Sequence, residues 1–282
     1  MRTILDTQLF SYVTRKMNVS LITIIIYCSH AIFGGSSLFV ISSTFPVLHN
    51  VVNENSPEVK KMSFSHLLPP GYKAEISRWV HEDCPTTDIG GFVVGEKVEV
   101  AHLLCKTSGV LAAVPFAQAV FDLLELDVEW LFDEGTYVDI DTVPNKKVVV
   151  AKVTGKCRNI LLAERTALNI MSRASGVATQ ARTAVDIAKA AGWKGYVAGT
   201  RKTTPGFKMV EKYALIVGGA ATHRMDLSQM VMLKDNHIWS AGNIPLAVQK
   251  ARQAAGFSMK IEVHFSHFIS MYDVCTLFIS SS

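Results

Sequence analysis

Residues 196–208 read Y-V-A-G-T-R-K-T-T-P-G-F-K, so that Arg201 and Lys202 follow a short apolar run. Residues 230–237, M-V-M-L-K-D-N-H, repeat this arrangement, because Lys234 comes directly after the last apolar residue. Both apolar runs have the length and composition of buried strands. The pattern therefore predicts two strands that deliver basic side chains at their carboxyl ends.

A helix is predicted between these two strands. Met209, Tyr213 and Ile216 recur at helical spacing, and a pair of glycines follows them. In parallel α/β folds, ligands bind outside the carboxyl ends of the strands. The order strand, helix, strand with cations at both strand ends therefore indicates an anion-binding site. The predicted elements are strands at 196–198 and 230–233 and a helix at 208–217.

Four segments of this region resemble one enzyme family, the quinolinate phosphoribosyltransferases, or carboxylating nicotinate-nucleotide pyrophosphorylases. They are G-T-R-K-T-T-P-G-F-K, V-E-K-Y, G-G-A-A-T-H-R-M-D-L and K-D-N-H, in that order and spacing. Several long segments in register are a far stronger signal than a single short motif. The resemblance covers about residues 62–263. It implies an α/β protein in which an N-terminal α+β sandwich-like domain precedes an incomplete α/β barrel of the type II phosphoribosyltransferase kind.

The domain organisation expected from the resemblance has four parts. Strands and helices mix between residues 62 and 173, as in a small α+β domain. The parts are a non-family hydrophobic extension at 1–61, the α+β domain at 62–173, a partial barrel at 174–263 and a divergent tail at 264–282. Further predicted elements are helices at 74–82, 116–124, 159–192 (with a break near Ser175-Gly176) and 245–255, and strands at 96–104, 147–153 and 258–263.

The extension admits two interpretations. Residues 17–53 contain no Asp, Glu, Lys or Arg, and their apolar run is long enough to cross a bilayer, with Arg15 and Lys16 ahead of it. Ser, Thr and Gly interrupt that run, however, and Met62 stands where the family resemblance begins. We expect a non-family extension ahead of a natural start at Met62, and a membrane anchor is the alternative.

The resemblance stops at Val263, and His264 stands where the family has a second glutamate. The remaining barrel strands, that acidic residue and the phosphate-binding turns would then be missing, and the strand at 258–263 would keep an unpaired edge. We therefore expect phosphoribosyl transfer to be impaired in this chain. The alternative is a non-catalytic variant that binds quinolinate or dimerises with intact family members. His264 and His267 alone are a weak metal signal.

The family's substrate carries two adjacent carboxylates, and the planar fork of arginine fits a carboxylate with two parallel hydrogen bonds. Ordinary surface salt bridges to Glu211, Asp226 or Asp235 are the competing interpretation of these cations. The resemblance assigns substrate binding to Arg165, Arg201, Lys202, Thr203, His223, Arg224 and Lys234, gives catalytic roles to Lys202 and Lys234, and assigns no metal ligand.

Arg165 lies in L-L-A-E-R-T-A-L-N, far ahead of the other candidates. On a helix such a residue often faces solvent. The resemblance instead implies that this arginine reaches the active site of a partner subunit, so a homodimer or a higher oligomer is expected.

The remaining expectations concern substrates and surroundings. The resemblance implies quinolinate and phosphoribosyl pyrophosphate as substrates, with Mg²⁺ arriving with the latter. The net charge of +4 is modest, and the basic residues of the central stretch are interleaved with Gly, Thr and Asp. Both features argue against nucleic acid as a partner. Five scattered cysteines favour reduced thiols and a cytoplasmic location. A membrane would be a partner only if residues 17–53 form a real anchor.

Overall fold

The computed structural model of the chain describes residues 25–28, 37–42, 63–266 and 274–279, with side chains over 63–264. Most of the extension and His267 lie outside these residues. Within the described part, no helix is both long and apolar enough to cross a bilayer.

The described residues form a mixture of helices and strands. The helices are α1 Tyr72–Asp83, α2 Ile89–Val94, α3 Val114–Leu123, α4 Cys157–Ala190, α5 Lys208–Val217, α6 Asp235–Ala241 and α7 Ile244–Ala255. The strands are β1 Ile25–Cys28, β2 Ser37–Ser42, β3 Val98–Cys105, β4 Gly109–Val110, β5 Asp127–Trp130, β6 Tyr137–Val138, β7 Val148–Lys156, β8 Tyr196–Gly199, β9 Val231–Leu233, β10 Ile261–Ser266 and β11 Val274–Ile279.

The chain separates into two compact units, each made of non-contiguous segments. The amino-terminal unit comprises Val51–Thr183 and Thr203–Thr222, and the carboxyl-terminal unit comprises Met1–Asn50, Ala184–Lys202 and His223–Ser282. The predicted domain boundaries follow the family pattern rather than contacts, and they stay a prediction.

The amino-terminal unit is built on an antiparallel sheet with the strand order β3-β7-β5. Helix α3 buries Phe116 and Val120 in its core, since these side chains recur on one face of the helix. The carboxylate of Glu134 accepts a hydrogen bond of 3.0 Å from the backbone N–H of Val114, at the start of this helix. It also accepts one from the hydroxyl of Tyr213 on α5. Burial raises the pKa of the Glu134 carboxyl.

Helix α4 is continuous over Cys157–Ala190, so the predicted break near Ser175-Gly176 is wrong. Ser175 does not end the helix, because its hydroxyl accepts a hydrogen bond of 3.1 Å from the backbone N–H of Ala112. One turn later, the hydroxyl of Thr179 accepts another of 2.8 Å from Val110. The hydroxyls of Ser175 and Thr179 therefore accept hydrogen bonds from backbone N–H groups of the neighbouring segment at 110–112. Buried alanines, including Ala174 and Ala178, let the rest of the core approach closely.

Helix α5 has the bounds that its sequence predicts. Its burial extends further than the predicted face, because Val210, Glu211 and Lys212 are also buried. The Lys212 ammonium group donates to the carbonyl oxygen of Thr222. Helix α5 is therefore an inner element of the unit, and its charged side chains need internal partners.

The carboxyl-terminal unit contains the second predicted strand, β9, paired in parallel with β10. The pairing sets Met232 opposite Glu262 and Leu233 opposite Val263. Helix α7 covers these strands with Ala247, whereas Leu246, one residue before it, is exposed. The predicted strand at 196–198 is also confirmed as part of β8, although its first residue, Tyr196, is exposed.

Strand β10 has a neighbour on each side, so the expectation of an unpaired edge is wrong. Strand β11 pairs with it antiparallel along its whole length, from Ile261 opposite Ile279 to Ser266 opposite Val274. The run V-C-T-L-F-I at 274–279 is rich in residues that favour strands. These residues favour the strand that pairs with β10, which the sequence analysis did not predict.

Two glycines provide a matched test of this packing. Gly218→Ala should lower the free energy of unfolding by about 1–3 kcal/mol, because the added methyl would meet the carbonyl of Ala178 and lie 2.6 Å from Cβ of Ala181. Gly176→Ala should raise it by about 0.5–1 kcal/mol, since a Cβ there meets open space within a helix. Urea unfolding followed by circular dichroism measures both. Destabilisation by Gly176→Ala would contradict a continuous α4.

Candidate anion-binding site

Strand β8 ends at Gly199, and two of the predicted ligands follow it. Arg201 and Lys202 are both exposed. The backbone N–H of Lys202 donates a hydrogen bond of 3.2 Å to the hydroxyl of Thr200, which shapes the turn after the strand. The end of this strand thus presents two cationic side chains to solvent, as the sequence predicts.

His223 occupies an unusual backbone conformation beside a buried carboxylate. Its φ angle of 54° lies in the left-handed region, which residues other than glycine rarely adopt. Its ring nitrogen Nε2 lies 2.7 Å from Oε2 of Glu262. Because a carboxylate can only accept, Nε2 carries the proton in this pair. The contact fixes the orientation of the imidazole ring and offsets part of the backbone strain.

Arg224 is buried, with 8% of its surface exposed. Its Nη1 donates a hydrogen bond of 3.2 Å to the carbonyl oxygen of Met230, just before β9. Burial lowers the pKa of the Arg224 guanidinium, and repulsion from Arg201 lowers it further, whereas Glu262 raises it. The group remains charged at neutral pH, because the pKa of arginine starts far above neutrality. Arg224 therefore experiences the positive charge of Arg201, and an incoming anion would offset that repulsion.

Lys234 follows β9 and stands at the start of α6. Its side chain is exposed, and its backbone N–H donates a hydrogen bond of 2.9 Å to Nδ1 of His237. The register of β9 and β10 places Lys234 one residue beyond the pair Leu233 and Val263, and Glu262 one residue before it. The cation is thus set at the carboxyl end of a parallel pair, where α/β proteins bind ligands.

Glu262 is the site residue that the sequence did not predict. It is 1% exposed and lies between Ile261 and Val263 in the core of the unit. Its carboxylate contacts His223, and its charge raises the pKa of Arg224. The available signal was a carboxylate between two apolar residues, Ile261 and Val263, in the predicted strand run at 258–263. A buried acid in such a run requires a charged or donating partner.

The other two predicted ligands, Arg165 and Thr203, belong to the amino-terminal unit. Arg165 is exposed on α4, and Thr203 is half-buried ahead of α5. The competing interpretation named Glu211 as a surface salt-bridge partner for these cations. Glu211 is instead buried and pairs with Arg173, with Nη2 and Oε1 2.8 Å apart. Arg201, Lys202, His223, Arg224 and Lys234 therefore share one unit, whereas Arg165 and Thr203 share the other.

The His, Cys, Asp and Glu side chains of the described residues, the types that bind metals in proteins, are scattered over both units. No group of three or more His, Cys, Asp or Glu side chains there is arranged to hold a metal ion. The residues in this part of the chain therefore do not fit a resident metal held by the protein alone.

Comparison with protein families matches both parts of the chain. Residues 86–175 match the N-terminal domain of quinolinate phosphoribosyl transferase, and residues 177–276 match its C-terminal domain. The second match continues beyond Val263, where the sequence resemblance was expected to stop.

Curated relatives and solved structures agree with this match. The carboxylating nicotinate-nucleotide pyrophosphorylase of Rattus norvegicus is 50% identical over 201 residues, which are 71% of this chain and 65% of the rat protein. That of Dictyostelium discoideum is 48% identical over 213 residues, or 72% of this chain and 71% of the relative. The structure of nicotinate-nucleotide pyrophosphorylase from Francisella tularensis superposes with a TM-score of 0.62 at 28% identity, covering 76% of this chain and 72% of that one.

The chain thus spans about two thirds of the length of the rat relative, at 65%. Its two domain matches and its identity to these relatives, together with the cationic strand ends that the structure describes, establish that this chain belongs to the quinolinate phosphoribosyl transferase family.

Proposed function

We propose that this chain binds quinolinate and transfers ribose 5-phosphate to its ring nitrogen from phosphoribosyl pyrophosphate. The nitrogen lone pair forms the bond to the anomeric carbon, and the bond from that carbon to pyrophosphate breaks. The 2-carboxylate then leaves as carbon dioxide, the electron pair of the broken bond stays on ring carbon 2, and that carbon takes up a proton from solvent. The products are nicotinate mononucleotide, pyrophosphate and carbon dioxide, so the chain would act in the synthesis of NAD.

The observation that carries this proposal is the buried Arg224 guanidinium within the electrostatic reach of Arg201. A buried guanidinium that is repelled by a second, exposed one gains stability from a compensating anion. Quinolinate offers two adjacent carboxylates, each able to accept two parallel hydrogen bonds from a guanidinium. The match between two forks and two carboxylates favours this substrate class over a monocarboxylate.

The remaining cations have supporting roles in the same proposal. Lys202 and Lys234 supply flexible point charges at the ends of β8 and β9, suited to carboxylate or phosphate oxygens. His223, oriented by Glu262, supplies a further polar group next to Arg224. We assign Lys202 and Lys234 catalytic roles because positive charge at these places could stabilise negative charge that develops during the transfer.

Magnesium is treated as part of the second substrate. We propose that Mg²⁺ arrives bound to the pyrophosphate of phosphoribosyl pyrophosphate, since the described residues do not form a metal-binding cluster of their own. Phosphate oxygens are ligands that magnesium prefers. The cytoplasmic location stays a prediction that rests on the scattered cysteines.

The test of this function separates binding from turnover. Titration calorimetry should show that quinolinate binds more tightly than nicotinate, which lacks the 2-carboxylate. Incubation with phosphoribosyl pyrophosphate and Mg²⁺ should yield nicotinate mononucleotide, detected by mass spectrometry. Quinolinate binding without product would favour the alternative, a non-catalytic variant that retains the dicarboxylate site. Equal affinity for the two acids would contradict the proposal.

Arg224→Lys should weaken quinolinate binding although the positive charge is kept. The substitution loses the bidentate geometry, which costs about 1.5–3 kcal/mol for a hydrogen bond to a charged group. The expected result is a rise of roughly 10- to 100-fold in the dissociation constant measured by calorimetry. Arg78→Lys is the matched control, because Arg78 forms an exposed pair with Glu75 on α1. Unchanged affinity in Arg224→Lys would remove Arg224 from the site.

Glu262 provides a graded test of how His223 is held. Glu262→Ala removes the acceptor from the imidazole and should weaken quinolinate binding, with a loss in the free energy of unfolding of about 1.5–3 kcal/mol. Glu262→Gln retains an acceptor oxygen and should have a smaller effect on both quantities. Glu129→Gln, in an exposed pair with Lys152, is the control and should change stability by less than about 1 kcal/mol. Equal behaviour of the alanine variant and the control would contradict this role.

Arg165 is proposed to complete the site of a second subunit. It lies on α4 and is exposed, so its side chain is available to a partner. Arg165→Ala and Arg201→Ala should each bind quinolinate poorly alone. Mixed in equal amounts, they should regain roughly one quarter of the wild-type capacity, because half the two-fold dimers are hybrids and each hybrid has one intact site. Calorimetry measures the capacity, and native mass spectrometry shows subunit exchange. Exchange without recovery would confine Arg165 to its own subunit.

A further inference from the structure

Glu211 lies on α5 with 5% of its surface exposed, and both of its carboxylate oxygens are occupied. Oε1 accepts hydrogen bonds of 2.9 Å from Nε of Arg173 and 2.7 Å from the hydroxyl of Thr204. Oε2 accepts one of 3.0 Å from the backbone N–H of Thr204. All three residues belong to the amino-terminal unit. The sequence did not predict this cluster, and the proposed reaction does not use it.

The consequence for Thr204 is that it is fixed at three points. Glu211 holds its backbone N–H and its hydroxyl, and its carbonyl oxygen accepts a hydrogen bond of 3.0 Å from the backbone N–H of Phe207. Between these two residues, Gly206 has a φ of 77°, a conformation that glycine adopts without strain. The turn at 204–207 therefore has one defined geometry, and it leads directly into α5.

Thr203 comes immediately before this fixed residue. A side chain on an isolated turn would sample several orientations, whereas the position of Thr203 depends on the peptide that Glu211 holds. Arg173 pairs with Glu211, with Nη2 and Oε1 2.8 Å apart. Glu211 is buried whereas the Arg173 side chain is 38% exposed, so desolvation of the acid and screening of the arginine leave the pair little net contribution to stability. Such a pair is better explained by the geometry it imposes.

We propose that Arg173 and Glu211 are positioning residues that hold the Thr203–Thr204 peptide in the orientation needed to bind a carboxylate of quinolinate. Neither touches the substrate, and both act through Thr204. This inference rests on the proposed function, since Thr203 is one of the residues assigned to quinolinate. The clamp itself is a property of the free chain, so it can be tested without ligand.

Hydrogen exchange tests the clamp directly. In the full chain, the amide proton of Thr204 should be protected, and Glu211→Gln should speed its exchange by at least roughly 10-fold, because the charged acceptor is lost. Glu129→Gln, which alters an exposed carboxylate of the same unit, should leave this amide unchanged. Equal exchange in the wild type and in Glu211→Gln would overturn the inference whatever the chain binds.

Ligand binding tests the positioning role. Thr204→Val removes the hydroxyl and should raise the dissociation constant of quinolinate about 10-fold, whereas Thr204→Ser keeps the hydroxyl and should restore affinity. The melting temperature of each variant is measured alongside, because a general loss of stability would lower it. Such a loss would not produce weak binding in Thr204→Val together with restored binding in Thr204→Ser. Fast exchange in Glu211→Gln with unchanged affinity would overturn the positioning role and leave the proposed function standing. Failure of the unsubstituted chain to bind quinolinate would overturn the proposed function and the ligand part of this inference, while the exchange result would still decide the clamp.

Discussion

The pair formed by His223 and Glu262 is the interaction on which the carboxyl-terminal unit depends. The parallel pairing of β9 and β10 fixes the backbone of Glu262, and this limits the orientation of its carboxylate. It holds a histidine whose backbone lies in the left-handed region, and it opposes the repulsion between Arg201 and Arg224. This single buried acid thus offsets part of the desolvation of Arg224 and of its repulsion from Arg201. Without it, burial and like-charge repulsion would both drive Arg224 towards solvent.

The amino-terminal unit uses small side chains to achieve a different result. Buried alanines on α4 let Gly218, at the end of α5, come within van der Waals range of the helix. Nearby, Arg182 donates a hydrogen bond of 3.1 Å to the carbonyl of that glycine and so satisfies the end of α5. Because α5 is anchored in this way and enclosed by its neighbours, its charged side chains must find partners inside the unit. Glu211 accepts hydrogen bonds from Arg173 and Thr204, and Lys212 donates one to the carbonyl of Thr222.

The elements that the sequence predicted well are those bounded by local signals. Helix α5 begins after a turn rich in Pro and Gly and ends at a glycine, and β9 is an apolar run that ends at Lys234. The errors arose where distant segments decide the outcome. Ser175 looks like a helix breaker until its hydroxyl meets the backbone of Ala112, 63 residues away. Glu262 and its partner are 39 residues apart, and no local period reveals that a charged residue at that position is buried. The family resemblance was needed to assign the basic residues to a binding site, since composition alone is equally consistent with surface charges.

Two buried glutamates, one in each unit, each order a segment of chain next to a proposed ligand-binding residue. Each lies on a regular element whose register fixes its carboxylate, Glu262 on β10 and Glu211 on α5. Each has a positively charged group within range, and each contacts a residue at or next to a proposed ligand: His223 in one case and Thr204 in the other. Ligand-binding side chains on turns lose affinity if they must be ordered when the ligand arrives, because that ordering costs entropy. A buried carboxylate that orders the turn beforehand transfers this cost to folding, where the packing of the whole unit offsets it. The acids therefore contribute to recognition of an anion even though their own charge repels it.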